Sequence, residues 1–245
     1  DLTSMGGMTG RGGGHRPKFH IGMRYDAGLV NRLHITAPLA PTPEQRQRLV
    51  ALQAAFARAC NLLAPVVQQQ RCWNRVALHH LAYRQLRQAM PELGSQMACN
   101  AIYSVCRAAR LVYQHPASPF HVQRWGQRPL PLLRFTDSCP VYFDRHTLSV
   151  QGGALSMFTL DGRLRFELAL PDQLVQAFAR LRLREVVLTG SAHAAYALTF
   201  ALGEAEACAD QAHLDLHVQP RDGGEHAVLW PPYLQVEPVS HVPHP

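Results

Sequence analysis

The hydrophobic positions in residues 41–128 recur every three or four residues, which is the period of an amphipathic α-helix. A first helix is predicted to begin at Thr42, which can form a capping box with Gln45, and Pro43 suits the first helical position. Pro65 is predicted to end or kink this helix because proline lacks a backbone N–H donor. The apolar stripe of the helix consists of Leu49, Leu52, Phe56, Cys60 and Leu63.

Two more helices are predicted after the first one, with short connections between them. The second covers about residues 74–89, and Pro91 and Gly94 mark the turn that follows it. The third begins near Ser95, the predicted N-cap. Three helices joined in this way predict a compact three-helix bundle. The buried positions of the second helix are Leu78, Leu81 and Leu86, and those of the third are Ala98, Ala101, Ile102, Val105, Ala109 and Val112.

After a proline-rich boundary at residues 115–131, the apolar period falls to two, which is typical of half-buried β-strands. The pairs Gly152-Gly153 and Asp161-Gly162 are turn signals, and the second is typical of a β-hairpin. A strand at residues 29–38 is expected to return to the same sheet. The other predicted strands cover residues 132–135, 141–143, 147–150, 154–160, 163–169, 185–188, 196–202, 214–218 and 227–230, with one helix at 171–183.

The predicted fold class is therefore α+β, a small, mostly antiparallel β-barrel with an inserted three-helix bundle. A closed barrel would leave no exposed strand edges. The glycine-rich start shows no regular period and predicts a flexible basic arm, and the proline- and histidine-rich end predicts an irregular tail. The predicted organisation is an arm at 1–28, a first barrel strand at 29–40, a helical insertion at 41–128, the rest of the barrel at 129–230 and a tail at 231–245.

Charge is distributed unevenly between the two halves of this chain, whose formal net charge is +7. Residues 1–128 carry 16 basic and 4 acidic side chains, whereas residues 129–245 carry 8 basic and 13 acidic ones. Lys18 is the one lysine, so the basic side chains are otherwise arginines. Guanidinium groups bind phosphate through paired N–H donors and stack on bases. The first half is therefore expected to bind a polyanion, and a solvated basic surface is the alternative.

Ten residues are candidates for contact with nucleic acid. Arg84 and Arg87 lie three apart on one predicted helix face, as do Arg107 and Arg110, and each pair can contact successive phosphates. Trp125 lies in the proline-rich boundary, where an exposed indole would stack on a base. A solvated helix face for the arginines and a buried position for the tryptophan are the alternatives. The full set is Arg58, Arg71, Arg75, Arg84, Arg87, Arg107, Arg110, Arg124, Trp125 and Arg128.

The sequence lacks the common catalytic and metal-binding motifs. Its six cysteines include no C-x-x-C pair, and no H-E-x-x-H, G-x-S-x-G, P-loop or G-x-G-x-x-G pattern occurs. A small enzyme without a motif would have to use Asp144, Asp161, Glu167 and Asp215 as its acids. No secretory signal and no uncharged apolar run of about 18 residues is seen. We therefore expect a cytoplasmic protein that is not an enzyme and that needs no cofactor or metal.

Several local phrases occur in an order that resembles a known family. They are residues 33–38 followed by Pro41-Thr42-Pro43-Glu44-Gln45, then Phe56-Ala57-Arg58-Ala59-Cys60-Asn61, Tyr83-Arg84-Gln85-Leu86-Arg87, Ser95-Gln96-Met97-Ala98 and the hairpin Leu160-Asp161-Gly162-Arg163. Over about residues 30–200, this order is similar to the N-terminal half of the transposon-encoded TnpB (OrfB) RNA-guided nucleases and the compact type V CRISPR effectors.

The resemblance implies that the helical insertion is a recognition lobe for a guide–target duplex and that the barrel is a wedge domain. Base pairing would then read the target sequence while the protein reads backbone and shape. The family's RuvC-like nuclease needs three converging carboxylates to hold two metal ions, and no such set is seen here. The family's zinc ribbon has no counterpart either, because the sequence has no C-x-x-C pair. The resemblance therefore implies a nuclease-free component of a ribonucleoprotein.

The expected partners are a guide or scaffold RNA, a target DNA, and either a separate nuclease subunit or a second copy of the chain. The alternative is a protein–protein adaptor whose acidic β-half recruits a nuclease or another effector.

Overall fold

Helices dominate the first half of the chain and strands the second, as the change of hydrophobic period predicts. A computed structural model describes residues 20–26, 30–203, 217–220 and 226–238. The fold class is α+β. The elements are β1 (His20–Asp26), β2 (Val30–Pro38), α1 (Pro43–Gln70), α2 (Arg75–Ala89), a 3-10 turn (Pro91–Leu93), α3 (Ser95–Tyr113), α4 (Val122–Trp125), β3 (Leu132–Phe135), β4 (Val141–Phe143), β5 (Leu148–Gln151), β6 (Ala154–Thr159), β7 (Gly162–Glu167), α5 (Asp172–Arg180), β8 (Arg182–Ser191), β9 (Ala194–Gly203), β10 (His217–Pro220), β11 (His226–Leu229) and β12 (Leu234–Glu237).

Helix α1 begins with the predicted capping box. The backbone N–H of Gln45 donates to Thr42 Oγ1 over 3.2 Å, and the backbone N–H of Thr42 donates to Gln45 Oε1 over 2.9 Å. The helix does not end at Pro65, one of the two predicted outcomes, because α1 continues through it to Gln70. An interior proline costs a helix about 3 kcal/mol. Burial of the surrounding turns, at Ala64 and Val67 among others, offsets that cost.

Helix α3 does not use the predicted Ser95 cap. Gly94 precedes the helix with a φ of 75°, makes no side-chain cap, and Ser95 is the first helical residue. Glycine has no Cβ and adopts this left-handed backbone without strain. Gly94 therefore forms the turn between Pro91–Leu93 and α3, and the helix starts directly after it. On α2, Leu81 is 48% exposed, so its predicted burial is wrong.

The helices share a hydrophobic core with the strands. Helix α3 packs against α1, α2 and β4, and α1 also packs against β3. Buried Gln53 of α1 connects the two layers, because its Nε2 donates to the backbone oxygen of Gly190 over 3.1 Å and its Oε1 accepts from Tyr196 Oη over 2.8 Å. The sheet therefore covers much of the apolar surface of the helices.

The largest sheet is antiparallel, with the strand order β1-β2-β9-β8-β4. Ile35 of β2 lies opposite Phe200 of β9, and both side chains are fully buried. The strand predicted at residues 29–38 thus pairs with β9, a strand from the second half of the chain. In the described part of the chain, however, the strands form open sheets, and the first and last strand of each sheet do not pair with each other. The predicted closed barrel is therefore not found there.

A second, three-stranded sheet has the order β5-β6-β7 and is joined to the start of α1. Gln45 Nε2 donates to the backbone oxygen of Arg165 over 3.0 Å. The Arg48 guanidinium donates to Thr159 Oγ1 over 2.7 Å and to the backbone oxygen of Asp161 over 3.0 Å. These bonds hold the β6–β7 hairpin against the helix and occupy carbonyl groups along its edge.

The structure corrects the predictions at both ends of the chain. His20–Asp26 forms β1 and pairs with β2, whereas the sequence predicted a flexible arm there. Leu234–Glu237 forms β12 and pairs with β3, whereas an irregular tail was predicted. The partner of β12 lies far away in sequence, so no short-range pattern reveals that pairing. Residues 1–19, 204–216 and 239–245 lie outside the described residues, as do most of the predicted strand at 214–218 and the Asp215 carboxylate.

Helix α1 is the one described helix that is long and apolar enough to cross a membrane. Its most apolar window has a mean hydropathy of 1.5, and 56% of that window is buried inside the fold. The core helix of a globular protein has the same length and composition, and α1 packs against α2, α3 and β3. Its hydrophobicity is therefore accounted for by these contacts.

Candidate nucleic-acid interface

A groove with a volume of about 540 Å³ lies between the first turns of α2 and the adjoining side of α3. Asn74 caps α2, and its Oδ1 accepts from the backbone N–H groups of Val76 and Ala77, each over 3.0 Å. The positive end of the α2 dipole therefore lies at the groove. The polar part of the lining comes from Asn74, Arg75, His79, Gln96, Cys99 and Arg110.

Arg75 and Arg110 bring two positive charges to this groove from different helices. Arg75 is exposed, and its Cζ lies 5.6 Å from the centroid of the Tyr103 ring. Arg110 is half-buried on α3. Neither side chain makes an ion pair or a hydrogen bond within the described part of the chain. Both guanidinium groups therefore keep their N–H donors available for an anion.

Among the described residues, no acidic side chain lines the groove, and one lining residue binds a carboxylate outside it. Gln96 Nε2 donates to Asp144 Oδ2 over 2.5 Å. The other oxygen of Asp144 accepts from the backbone N–H groups of His146 and Thr147, over 3.0 and 3.1 Å, in a tight turn. Asp144 is thus engaged in structural bonds, and the groove presents mainly positive charge.

The thiol and the imidazole in the groove have structural surroundings. Burial raises the pKa of the Cys99 thiol, although the nearby Arg75 acts in the opposite direction, so Cys99 stays protonated near neutral pH. His79 stacks on Tyr83 with 4.4 Å between ring centroids. Among the described residues, no group of three or more His, Cys, Asp or Glu side chains is arranged to hold a metal ion.

Three more of the predicted contacts lie on the surface. Arg84 is exposed on α2, and its side chain has no partner among the residues that the structure describes. Arg58 of α1 forms an ion pair with Glu92 over 3.5 Å, in which both side chains are well exposed, so the pair contributes little stability. Arg128 is also exposed, with its Cζ 5.5 Å from the centroid of Trp125. Arg84 is thus available to a ligand, and Arg58 and Arg128 can exchange their present contacts for one.

Three other predicted contacts bind backbone carbonyl groups instead. Arg71 donates to the backbone oxygens of Gly126 and Arg128, over 2.8 and 2.6 Å. Arg124 donates to the backbone oxygens of Pro116, over 2.8 Å, and Ser118. Arg87 lies at the end of α2, where its Nη1 is 3.4 Å from the backbone oxygens of Met90 and Pro91. These arginines hold loops and helix ends in place.

Arg107 faces inward, so its predicted pairing with Arg110 on one solvent-facing surface is wrong. Its side chain is 17% exposed and forms an ion pair with Glu185 over 3.2 Å. Its Nη1 also donates to Tyr103 Oη over 3.0 Å, and its Cζ lies 5.4 Å from the centroid of Tyr142. Burial alone would lower the pKa of Arg107, but Tyr142, Glu185 and Tyr103 together raise it well above its usual range.

Trp125 is half-buried, in agreement with the alternative of a packed side chain. Its indole Nε1 donates to the backbone oxygen of Pro129 over 3.0 Å, and its ring meets Phe120 edge-on at 5.1 Å between centroids. Arg128 lies beside the same ring. The tryptophan thus anchors the loop between α4 and β3.

Sequence reasoning missed the parts of the groove that carry no charge. The sequence does place the start of the second helix at about residue 74, and Asn74 is of a residue type that favours the N-cap, but this signal does not show that a groove lies beside it. Gln96 and Cys99 gave no such signal, because only the packing of α3 beside α2 brings them to Arg75.

Comparison with known proteins adds no family assignment. No protein-family model matches the chain, and no curated protein matches it. The likeness to the TnpB and type V proteins therefore stays a hypothesis that rests on the local phrases of the sequence.

Proposed function

We propose that this chain binds nucleic acid through the surface formed by α2 and α3. The observation that supports this proposal most is the groove between α2 and α3. Arg75 and Arg110 lie there beside the N-terminus of α2, and none of the described residues that line it is acidic. Arginine binds phosphate oxygens through two parallel N–H donors, and a helix N-terminus adds further attraction for an anion. Arg84 lies two to three turns further along α2, on the side of the helix away from Arg75, so it is a separate exposed charge outside the groove.

The uneven distribution of charge supports the same proposal. The first half of the chain carries a large excess of arginine over acidic residues, and the second half has an acidic excess. An excess of arginine of this kind favours association with a polyanion. The helical half would therefore contact the nucleic acid backbone, which makes affinity strongly dependent on salt.

The finer proposal concerns the kind of nucleic acid. Following the resemblance, we propose a nuclease-free, RNA-guided DNA-binding component of a TnpB-like or type V-like ribonucleoprotein. Its helical insertion would be a three-helix recognition lobe and its strands a wedge-like barrel. The ligands would be a guide or scaffold RNA and a target DNA, and base pairing would provide sequence specificity. This part of the proposal is supported by the order of the local phrases along residues 30–200.

The test begins with the RNA that accompanies the protein. The chain is purified from its native host, the bound RNA is sequenced, and rebinding of that RNA is titrated at several salt concentrations. We expect one enriched, structured RNA with a guide-like end. A protein that carries only random fragments would exclude the guided mechanism. A protein that carries no RNA, and that retains a second protein after ribonuclease treatment, would support the adaptor instead.

The double variant Arg75→Gln/Arg110→Gln tests the groove itself. We expect affinity for the accompanying RNA to fall at least ten-fold, and the slope of log affinity against log salt to decrease by about 2, since each phosphate contact contributes about 0.9. The matched control is Arg180→Gln/Arg182→Gln, which removes the same charge from exposed positions on α5 and β8. Equal losses in both variants would show a general charge effect and refute the groove as the binding site.

A further inference from the structure

We propose a second contact surface for nucleic acid, on the β6–β7 hairpin, that binds a single-stranded segment by base stacking. The surface consists of Ser156 and Phe158 on β6 and Arg163 and Arg165 on β7. It extends the proposed function to the second half of the chain, whose acidic excess does not by itself predict binding to nucleic acid. It depends on a different set of residues from the groove and can be tested separately.

The register of the hairpin places these four side chains together. Phe158 pairs with Arg163 and Ser156 pairs with Arg165. The alternating positions Leu155, Met157, Leu164 and Phe166 are buried in the core. Because successive side chains of a strand point to opposite faces, the four residues share the outward face of the sheet.

Phe158 is unusual on this face because it is a large apolar side chain that is 38% exposed. The Arg163 Cζ lies 4.2 Å from the centroid of the Phe158 ring, and Arg163 Nη1 donates to Ser156 Oγ over 3.1 Å. The ring and the hydrogen bond thus hold the guanidinium in place. A guanidinium positioned in this way offers a planar group on which a base can stack.

Arg165 adds a positive charge beside this stacked pair. Both arginines are exposed and two residues apart on the same strand face, and neither makes an ion pair within the described residues. Glu167 lies at the other end of β7, opposite Ala154. Asp161 lies in the turn, so the two arginines stand between one carboxylate in the turn and one at the far end of β7, with the aromatic ring opposite Arg163. A stacking group next to phosphate-binding arginines is the combination that binds single strands.

The edge of the hairpin argues against an extended peptide as the occupant. A peptide that adds a strand to β7 needs its free backbone groups. Gln45 already donates to the backbone oxygen of Arg165, and Arg48 donates to those of Asp161 and Gly162, over 3.0 and 3.3 Å. These bonds from α1 also make the hairpin rigid, so a ligand would meet a preorganised surface.

The test compares Phe158→Leu with Phe158→Tyr in the full-length protein. The probes are a short, unstructured single-stranded RNA and an RNA duplex, both fluorescently labelled. We expect Phe158→Leu to weaken single-strand binding about ten-fold, since the ring that holds the stacking guanidinium of Arg163 in place is lost. We expect Phe158→Tyr, which keeps the ring, to bind like the unmodified protein. Duplex affinity should stay within about two-fold in both variants, because paired bases are not free to stack on a protein side chain.

A further variant, Arg163→Gln, keeps the ring and protects the test against a folding defect in Phe158→Leu. It should weaken single-strand binding, whereas Arg145→Gln, an exposed arginine in the turn between β4 and β5, should not. Unchanged single-strand binding in both Phe158→Leu and Arg163→Gln would overturn the proposal. An equal loss for duplex and single strand would overturn it too. Neither result touches the groove, which the Arg75→Gln/Arg110→Gln variant tests independently.

Discussion

Arg107 and Arg110 lie one turn apart on α3, yet they have opposite surroundings. Arg107 is enclosed by Glu185, Tyr103 and Tyr142, whereas Arg110 lines the groove without an ion pair to any described residue. The difference comes from the elements that pack beside each position: β8 and β4 cover Arg107, and the start of α2 leaves Arg110 accessible. One arginine therefore contributes to the stability of the fold and the other is free to bind a ligand.

Replacing Arg107 should give the largest effect on stability. In Arg107→Met, the Glu185 carboxylate is left partly buried without its cation, and Tyr103 loses a hydrogen bond. We expect the free energy of unfolding to fall by about 2 to 3 kcal/mol, which is below the loss for a fully buried pair because the Glu185 side chain is 26% exposed. The measurement is urea unfolding followed by circular dichroism.

Arg110→Met is the matched control for that experiment. It lies on the same helix and removes the same side chain, but no described residue loses an ion pair or a hydrogen bond to it. We expect a change in unfolding free energy within about 0.5 kcal/mol. A loss as large as that of Arg107→Met would contradict the distinction between the two positions.

Alkaline pH should weaken the packing around Arg107, which includes Tyr103, before it affects the groove. Burial raises the pKa of Tyr103, and it raises the pKa of Tyr233 to about 12. The unfolded chain releases these protons near pH 10, while the folded protein keeps them, so stability is complete below pH 10 and is lost as the pH rises towards 12. Stability measured between pH 9 and pH 12 should fall steadily, and Tyr103→Phe should make that fall shallower.

An identical alkaline slope in Tyr103→Phe would show that Tyr103 ionises alike in the folded and unfolded chains. The inference that burial beside Arg107 raises the pKa of Tyr103 would then be wrong.

Removing the cap of α2 should lower stability less than Arg107→Met does, and should also affect the groove. Asn74→Ala leaves two backbone N–H groups at the start of α2 without their side-chain acceptor. We expect a loss of about 1 kcal/mol. RNA affinity should fall slightly as well, because the first turn of α2 that carries Arg75 becomes less ordered. Asn74→Ser, which retains an acceptor, should recover most of both losses.

Several elements could be predicted closely from short-range pattern alone. The strands Leu132–Phe135 and Val141–Phe143 and the end of α2 at Ala89 lie where the sequence predicts them. The capping box of Thr42 and Gln45 is likewise a local interaction. By contrast, β1 and β12 were missed and the continuation of α1 past Pro65 was not predicted, because each depends on a partner or on packing that a short window of sequence does not contain.

The candidate interface divides in the same way. The sequence by itself determined the number of arginines, their concentration in the first half and the helical spacing that places Arg107 and Arg110 one turn apart. Only the tertiary structure decided which arginines are enclosed, which bind carbonyl groups and which line a groove. The physical reason is that the spacing of residues along a helix fixes their angular relation, whereas the environment of each face depends on elements that are distant in sequence.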